Sequence, residues 1–291
     1  MNTVVLLLVT GLGLGALYFL IASGLSLIYG LMHVLNFAHG VFLSLGAFVG
    51  WEVAKRLDPS TWGGFGLALL AGAVAGAVIA ALTELFLIRP LYNRHIEQVL
   101  ITVGLGLVGV ALFEGVWGTD PVFISGPSWF GQTTPIMGAR VPNTVFITIA
   151  VAAALLLGLV LFLRHTRYGL IIRAGVENRS MVTALGIDVR RSFTLVFAIG
   201  GAAAGLGGVL ASQYFGYVSA HMGQTLLIFA FIVTVIGGLG SLGGAAIAAI
   251  LVAVPQQFAN YYWGVGDLIA VLALAVVLLL RPSGLLGVKR A

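Results

Sequence analysis

Few side-chain combinations in this chain could carry out chemistry. Gly104-x-Gly106-x-x-Gly109 matches the dinucleotide-binding pattern, but it lies inside a long apolar segment with no preceding strand, so close helix packing is the favoured interpretation. A P-loop needs a lysine on a glycine-rich turn to hold phosphates. The only lysines, Lys55 and Lys289, are not in such a context. We therefore expect that this chain does not bind and hydrolyse ATP alone.

Metal and hydrolytic sites are no better supported. His33 and His39 are six residues apart without a pair of carboxylates, so capping or pore lining is favoured over a metal site. Ser241 sits among glycines, but the Gly-x-Ser-x-Gly elbow of serine hydrolases is absent. Close packing explains these glycines, and an intramembrane hydrolase that uses Ser241 is kept as an alternative.

Polar side chains inside the apolar segments are more informative. Burying an amide or ionisable group in hydrocarbon costs about 3 kcal/mol, so each should face protein or a water-filled path. Glu84 and Glu114 lie near segment ends, where reaching towards the lipid headgroups is the simplest explanation. Seven further polar residues could either line a translocation path or subunit interface or form hydrogen bonds between helices. They are Asn36, His39, Gln213, Tyr214, Gln256, Gln257 and Asn260.

The composition indicates a membrane protein. Sixty per cent of the 291 residues are hydrophobic and 8% are charged, with a mean hydropathy of +1.12, whereas soluble domains are about 25% charged. Most cations lie at the ends of apolar segments, so the net charge of +5 indicates control of topology in a lipid bilayer rather than a nucleic-acid partner. The absence of cysteine excludes disulfides and thiolate metal sites.

Hydrophobic runs predict an all-α, polytopic transmembrane bundle that forms one domain over residues 1–291. The first run has no basic region before it, so it is interpreted as a retained span rather than a cleaved signal. Gly72 and Gly76 form a small-xxx-small pattern for close helix packing. Breaks near Asn36 and at Gly237–Gly244 predict broken or re-entrant helices. We expect eight or nine spans, near residues 4–29, 38–54, 66–88, 98–118, 144–163, 193–213, 224–240, 243–262 and 267–281.

Two connections are long and distinctive. Residues 119–143 carry four prolines together with Trp129 and Phe130, which predicts an ordered external loop. Residues 164–191 carry six of the fourteen Lys and Arg residues, and Glu177 to Leu185 is predicted to be a short helix closed by Gly186. Counting cations alternately along the loops puts eleven on the side of this segment and three on the other. The positive-inside rule then places residues 164–191 and the C-terminus in the cytoplasm and the N-terminus outside.

Four separated motifs resemble the LivH-type permease subunits of branched-chain amino acid importers driven by ATP-binding-cassette (ABC) subunits. The match runs in order along almost the whole chain. The motifs are Asn36-Phe37-Ala38-His39-Gly40, the junction from Glu84 to Arg89-Pro90-Leu91, the pair Arg173-Ala174-x-x-Glu177-Asn178 and Ala184-Leu185-Gly186-Ile187, and Arg281-Pro282-Ser283-Gly284-Leu285-Leu286-Gly287.

The resemblance implies a homologous second permease subunit, two cytoplasmic ATP-binding subunits and an external solute-binding protein in a bacterial inner membrane. ATP and Mg²⁺ would be bound by the partner subunits, and this chain would hold no cofactor. Residues 164–191 would dock on the ATPase, and the spans would transport substrate by alternating access. The implied coupling residues are Arg173, Glu177, Asn178, Ala184, Leu185, Gly186 and Ile187.

A stand-alone secondary carrier or channel is the main alternative to this interpretation. No span carries a ladder of carboxylates or arginines, which disfavours a proton pump or voltage sensor. Relatives within the family carry branched-chain amino acids, other neutral amino acids, amides or urea, or aromatic acids, and the sequence does not choose among them.

Overall fold

The chain forms a helical bundle in the computed structural model, which describes residues 2–58, 60–92, 94–177, 181–182, 186 and 189–286. Ten α-helices lie within this described part. They are α1 (Asn2–Met32), α2 (His39–Arg56), α3 (Trp62–Thr83), α4 (His95–Trp117), α5 (Asn143–His165), α6 (Arg167–Glu177), α7 (Val189–Phe215), α8 (Met222–Gly237), α9 (Leu242–Trp263) and α10 (Gly266–Leu280).

The predicted all-α membrane bundle is confirmed. Six helices in the described ranges are long and apolar enough to cross a membrane, namely α1, α3 with its extension to Leu91, α4, α5, α7 from Arg190, and α9. The helices α8 and α10 are apolar but shorter. The helix α2 has 18 residues and ends in Lys55 and Arg56. Together these helices correspond to the nine predicted segments.

The bundle has a central layer and a lipid-facing layer. In the most apolar 18-residue stretch of each helix, 61% of the residues are buried in α1 and 67% in α7, against 28% in α3 and α4 and 22% in α5. Ten of the twelve largest fully buried side chains accordingly come from α1, α2 and α7, among them Phe42, Phe48, Phe193 and Phe197. In a bilayer the apolar surfaces of α3, α4 and α5 are compatible with lipid contact, because lipid tails are as apolar as leucine.

Glycine allows the central helices to approach closely. A Cβ added at Gly76 of α3 would collide with the carbonyl group of Gly201 in α7, and one at Gly72 would meet the carbonyl oxygens of Gly46 and Gly205. The predicted small-xxx-small contact is therefore present, and it joins α3 to α7 and α2.

Residues 118–142 form short ordered elements. The strand β1 (Val122–Phe123) pairs with β4 (Tyr217–Val218), and β2 (Thr133–Ile136) forms a hairpin with β3 (Ala139–Pro142). Gly138 in the hairpin turn lies against Asn2 at the start of α1. These elements define one end of the bundle, which we call the hairpin end.

The opposite end contains the last turn of α1, α6, and residues 238–240 and 284–286. Gly240 lies against Gly30, and Gly284 lies against Gly238. The chain enters α6 through Thr166, whose hydroxyl oxygen accepts a hydrogen bond from the Gly169 amide at 2.9 Å. A Cβ at Gly175 would lie 2.9 Å from Leu31 Cδ1, so α6 packs on the end of α1. We call this the α6 end.

Candidate translocation cavity and coupling contacts

A cavity of about 340 Å³ lies between α1, the end of α7 with the segment that follows it, α8, α9 and α10. It contains four of the seven predicted path residues, Tyr214, Gln256, Gln257 and Asn260. Its remaining lining is Leu14, Tyr18, Phe215, Tyr217, Ser219, His221, Met222, Thr225, Leu226, Phe229 and Asp267.

Hydrogen bonds of the polar lining join four helices, namely α1, α7, α9 and α10. Gln256 Nε2 donates to Asp267 Oδ1 at 3.1 Å, which links α9 to the first turn of α10. Gln257 Nε2 donates to the Thr10 hydroxyl oxygen at 3.2 Å, and the Tyr214 hydroxyl donates to the Thr10 carbonyl oxygen, also at 3.2 Å. These bonds hold the polar side chains of the cavity in place, and they join residues that are far apart in sequence.

One wall of the cavity is apolar. The rings of Tyr18 and Phe229 are stacked with centroids 5.0 Å apart, and Leu14 and Leu226 lie beside them. A wall of this kind suits an aliphatic group, because removing apolar surface from water is favourable.

The start of α8 also reaches this cavity, but its backbone amides are already paired. The Gly223 amide donates to the Ser44 hydroxyl oxygen at 3.0 Å, the Met222 amide to the Ser219 carbonyl oxygen at 3.2 Å, and the Thr225 amide to the His221 carbonyl oxygen at 3.1 Å. These three amides are thus not available to an anion, although helix N-termini often bind anions.

The other three predicted path residues lie elsewhere. Asn36 is buried, and its Oδ1 accepts a hydrogen bond from the Ala38 amide at 3.1 Å. His39 Nε2 lies 3.0 Å from the Ile21 carbonyl oxygen, which connects α2 with α1. Gln213 lines a second cavity of about 310 Å³, with Lys55, Phe65 and Ile124 on its other sides. Asn36 and His39 line neither of these two cavities.

Glu84 lies at the centre of a second polar cluster, next to residues 164–191, which we call the coupling region after its predicted role. It begins a π-helical turn, Glu84–Ile88, at the end of α3 and is fully buried. The Thr194 hydroxyl donates to Glu84 Oε2 at 2.6 Å, the Tyr92 hydroxyl donates to Oε1, and Arg89 Nε lies 3.5 Å from Oε1. The expectation that Glu84 reaches towards lipid headgroups is therefore wrong, because protein donors satisfy this carboxylate.

Arg89 and Tyr92 also connect this cluster to α7. An Arg89 guanidinium nitrogen donates to the Thr194 hydroxyl oxygen at 2.9 Å, and the Tyr92 ring packs edge-on against Phe193 at 5.2 Å. Burial and the hydrogen bond to the Glu84 carboxylate raise the pKa of the Tyr92 hydroxyl. We call Glu84, Arg89, Tyr92 and Thr194 the Glu84 cluster. Sequence reasoning missed Thr194, since a threonine in an apolar helix carries no signal of its partner.

Glu114 has a different environment. Its side chain is 32% exposed, and Oε1 lies 3.0 Å from His221 Nε2. Glu114 therefore contacts His221, in the segment between α7 and α8, and its partly exposed side chain can also reach the membrane surface.

The predicted coupling residues are described only in part. Arg173 is exposed on α6, and Glu177 is the last residue of that helix. Gly186 is exposed with φ of +77°, as expected for a glycine that closes a helix. Asn178, Ala184, Leu185 and Ile187 lie outside the described residues, as does most of the predicted short helix. The helix Arg167–Glu177 was not predicted, because its arginines interrupt the apolar residues and the segment was interpreted as part of a charged connection.

The residues considered for other chemistry have structural roles. The Ser241 hydroxyl oxygen accepts a hydrogen bond from the Gly244 amide at 3.1 Å and so caps α9. Gly104, Gly106 and Gly109 lie inside α4, and Gly109 contacts Val41 of α2. In the described ranges there is no group of three or more His, Asp or Glu side chains that could hold a metal ion.

Comparison with known proteins identifies the family. A family model described as "Branched-chain amino acid transport system / permease component" matches residues 7–280. The chain belongs to this permease family.

Three curated permeases are similar over nearly the whole chain. The LivH protein of Salmonella typhimurium, a high-affinity branched-chain amino acid transport system permease, is 28% identical, with 95% of this chain and 93% of LivH covered. LivH of Escherichia coli strain K12 is 29% identical at the same coverage. BraD of Pseudomonas aeruginosa, another permease described in the same words, is 29% identical over 96% of this chain and 94% of BraD.

These likenesses confirm the resemblance inferred from the four motifs. The chain is a multi-pass permease subunit of an ABC importer. The two polar regions of this permease are separate: α1, α7, α8, α9 and α10 line the cavity, whereas the Glu84 cluster joins α3 to α7.

Proposed function

We propose that this permease carries branched-chain amino acids across the bacterial inner membrane. The single observation that supports this most is the family match over residues 7–280, because it covers every residue that lines the cavity. The stacked aromatic wall of the cavity is compatible with an aliphatic side chain. A stand-alone carrier is not favoured, since the family consists of components of larger transport systems.

We propose further that the α6 end faces the cytoplasm. Arg89, Arg164, Arg173 and Arg281 lie at this end, whereas Lys55, Arg56 and Arg140 belong to the hairpin end. The positive-inside rule supports this orientation, which puts the N-terminus outside and the C-terminus inside. The assembly would contain this chain, a homologous second permease, two ATPase subunits and an external binding protein.

The coupling region would then transmit the work of ATP to the cavity. Its first part, α6, packs on α1, which lines the cavity with Leu14 and Tyr18. Its other side continues into α7, which the Glu84 cluster joins to α3. Closure of the ATPase subunits would move both contacts and so change access to the cavity from one side to the other.

The test is ATP-dependent uptake in a defined system. The tagged chain should copurify with a second permease and an ATPase. Proteoliposomes of that complex should accumulate labelled leucine only with ATP inside and the binding protein outside. Purification of the chain alone with leucine uptake independent of ATP would contradict the proposal and indicate a carrier. Replacing internal ATP with ADP in the same vesicles is the control.

A further inference from the structure

The charge of the cavity is asymmetric. Asp267 is the only carboxylate among the lining residues, and the lining as described includes no lysine or arginine. The lining also includes His221, but its Nε2 already lies 3.0 Å from a carboxylate oxygen of Glu114. The cavity therefore presents one uncompensated negative group, which favours a positively charged ligand group over an anion.

Asp267 is held in position for such a contact. It lies in the first turn of α10, where the helix dipole stabilises a carboxylate. The side chain is exposed, and Oδ1 accepts the 3.1 Å hydrogen bond from Gln256 Nε2. That bond fixes the orientation of the carboxylate, and a carboxylate can accept further hydrogen bonds beyond this one.

The amide of Gln256 supplies a second observation. Gln256 is 5% exposed, and its Oε1 is buried without a hydrogen-bond partner in the described chain. Buried side-chain acceptors are almost always paired in native proteins, so an acceptor of this kind indicates a donor supplied from elsewhere. Because Nε2 of the same amide contacts Asp267, a donor that reaches both groups would satisfy Oε1 and the carboxylate together.

The rest of the lining fits the remainder of an amino acid. The stacked pair Tyr18 and Phe229, with Leu14 and Leu226, offers an apolar surface. Asn260 and Ser219 supply uncharged donors for a carboxylate. The volume of about 340 Å³ is in the range of small-molecule sites.

We propose that this cavity binds the transported amino acid, with its ammonium group on the Asp267 carboxylate and Gln256 Oε1 and its aliphatic side chain on Tyr18 and Phe229. This inference rests on the proposed function, since it names the residues that recognise the substrate along the path. It also implies that molecules without an amino group, such as the corresponding keto acid, are poor substrates.

The test is leucine uptake by the full importer complex in proteoliposomes, with Asp267→Asn as the variant. Uptake should fall by about tenfold or more, since a charge-assisted hydrogen bond is replaced by a neutral one. Stimulation of ATP hydrolysis by the leucine-loaded binding protein should persist, because the coupling region is unchanged. Asp267→Glu should recover part of the uptake.

Asp120→Asn is the matched control, because Asp120 is an exposed residue that does not line the cavity. Gln256→Leu is an independent variant that removes the amide and leaves the charge, and it should also reduce uptake. Uptake by Asp267→Asn and Gln256→Leu equal to that of Asp120→Asn would overturn the inference. Failure of the wild-type complex to take up leucine would instead refute the proposed function, so the two failures are distinguishable.

Discussion

The Thr194 hydroxyl lies 2.6 Å from Oε2 of the fully buried Glu84. Thr194 is in the second turn of α7, directly after the coupling region, and Glu84 begins the π-helical turn that ends α3. This contact joins the segment proposed to dock on the ATPase to a helix that packs closely along α7. A buried carboxylate with several donors acts as a rigid joint, because losing one donor leaves part of a buried charge without a hydrogen bond.

We predict that Thr194→Val, which keeps the shape and removes the hydroxyl, destabilises the protein by about 2 kcal/mol because it removes a buried hydrogen bond to a charged group. It should also raise the ATP hydrolysed per leucine transported. Thermal unfolding in detergent and parallel ATPase and uptake assays measure the two effects. Thr148→Val is the matched control, since the buried Thr148 hydroxyl donates to the Thr144 carbonyl oxygen in its own helix, α5, and Thr148 lines neither cavity. Equal coupling ratios in the two variants would argue against a role for the joint.

Gly186 provides a test of backbone conformation alone. Its φ is +77°, and a Cβ added there meets no atom within 4 Å. Gly186→Val should therefore cost about 1–2 kcal/mol through left-handed strain, whereas Gly186→Asn should be tolerated. We expect Gly186→Val to uncouple ATP hydrolysis from uptake while the protein stays inserted. A Gly186→Asn variant as impaired as Gly186→Val would mean that the position needs a glycine for contact and not for conformation.

The contact between α3 and α7 depends on the absence of a side chain at Gly76. Gly76→Ala should destabilise the bundle by about 1–3 kcal/mol, because its methyl group would overlap the Gly201 carbonyl. Gly66→Ala in the same helix meets nothing within 4 Å, so it should be neutral or slightly stabilising. Both are compared by thermal unfolding in one detergent. Equal melting temperatures would show that α3 and α7 are less closely packed than the structure describes.

Substitutions at Ser241 distinguish the permease hypothesis from the intramembrane hydrolase hypothesis. Its hydroxyl caps α9, so Ser241→Ala should cost about 1 kcal/mol of stability. Leucine uptake at low temperature should be retained, and Ser241→Asp, which keeps a capping oxygen, should restore stability. Complete loss of function in a folded Ser241→Ala protein would favour the nucleophile that the sequence left open.

The apolar segments that form nine of the ten described helices, the loop over residues 119–143 and the glycine contacts could be predicted because each leaves a local pattern of hydropathy or small residues. The cavity could be predicted only in part. Gln256, Gln257 and Asn260 are conspicuous polar residues in one apolar helix, but Tyr18 and Asp267 join them through packing between distant helices. Glu84 was misjudged for the same reason, since its partner Thr194 is 110 residues away.

The account depends most on contact between the coupling region and the ATPase. The chain has no cysteine, and Met181 is 62% exposed in this region, so Met181→Cys gives one thiol at a defined place. In membranes that contain the whole complex, a bifunctional thiol reagent should crosslink it to an ATPase subunit carrying engineered surface cysteines. Asp120→Cys in the connection between α4 and α5 should give no such product. Crosslinking from Asp120→Cys, with none from Met181→Cys, would contradict the proposed docking surface and the orientation of the bundle.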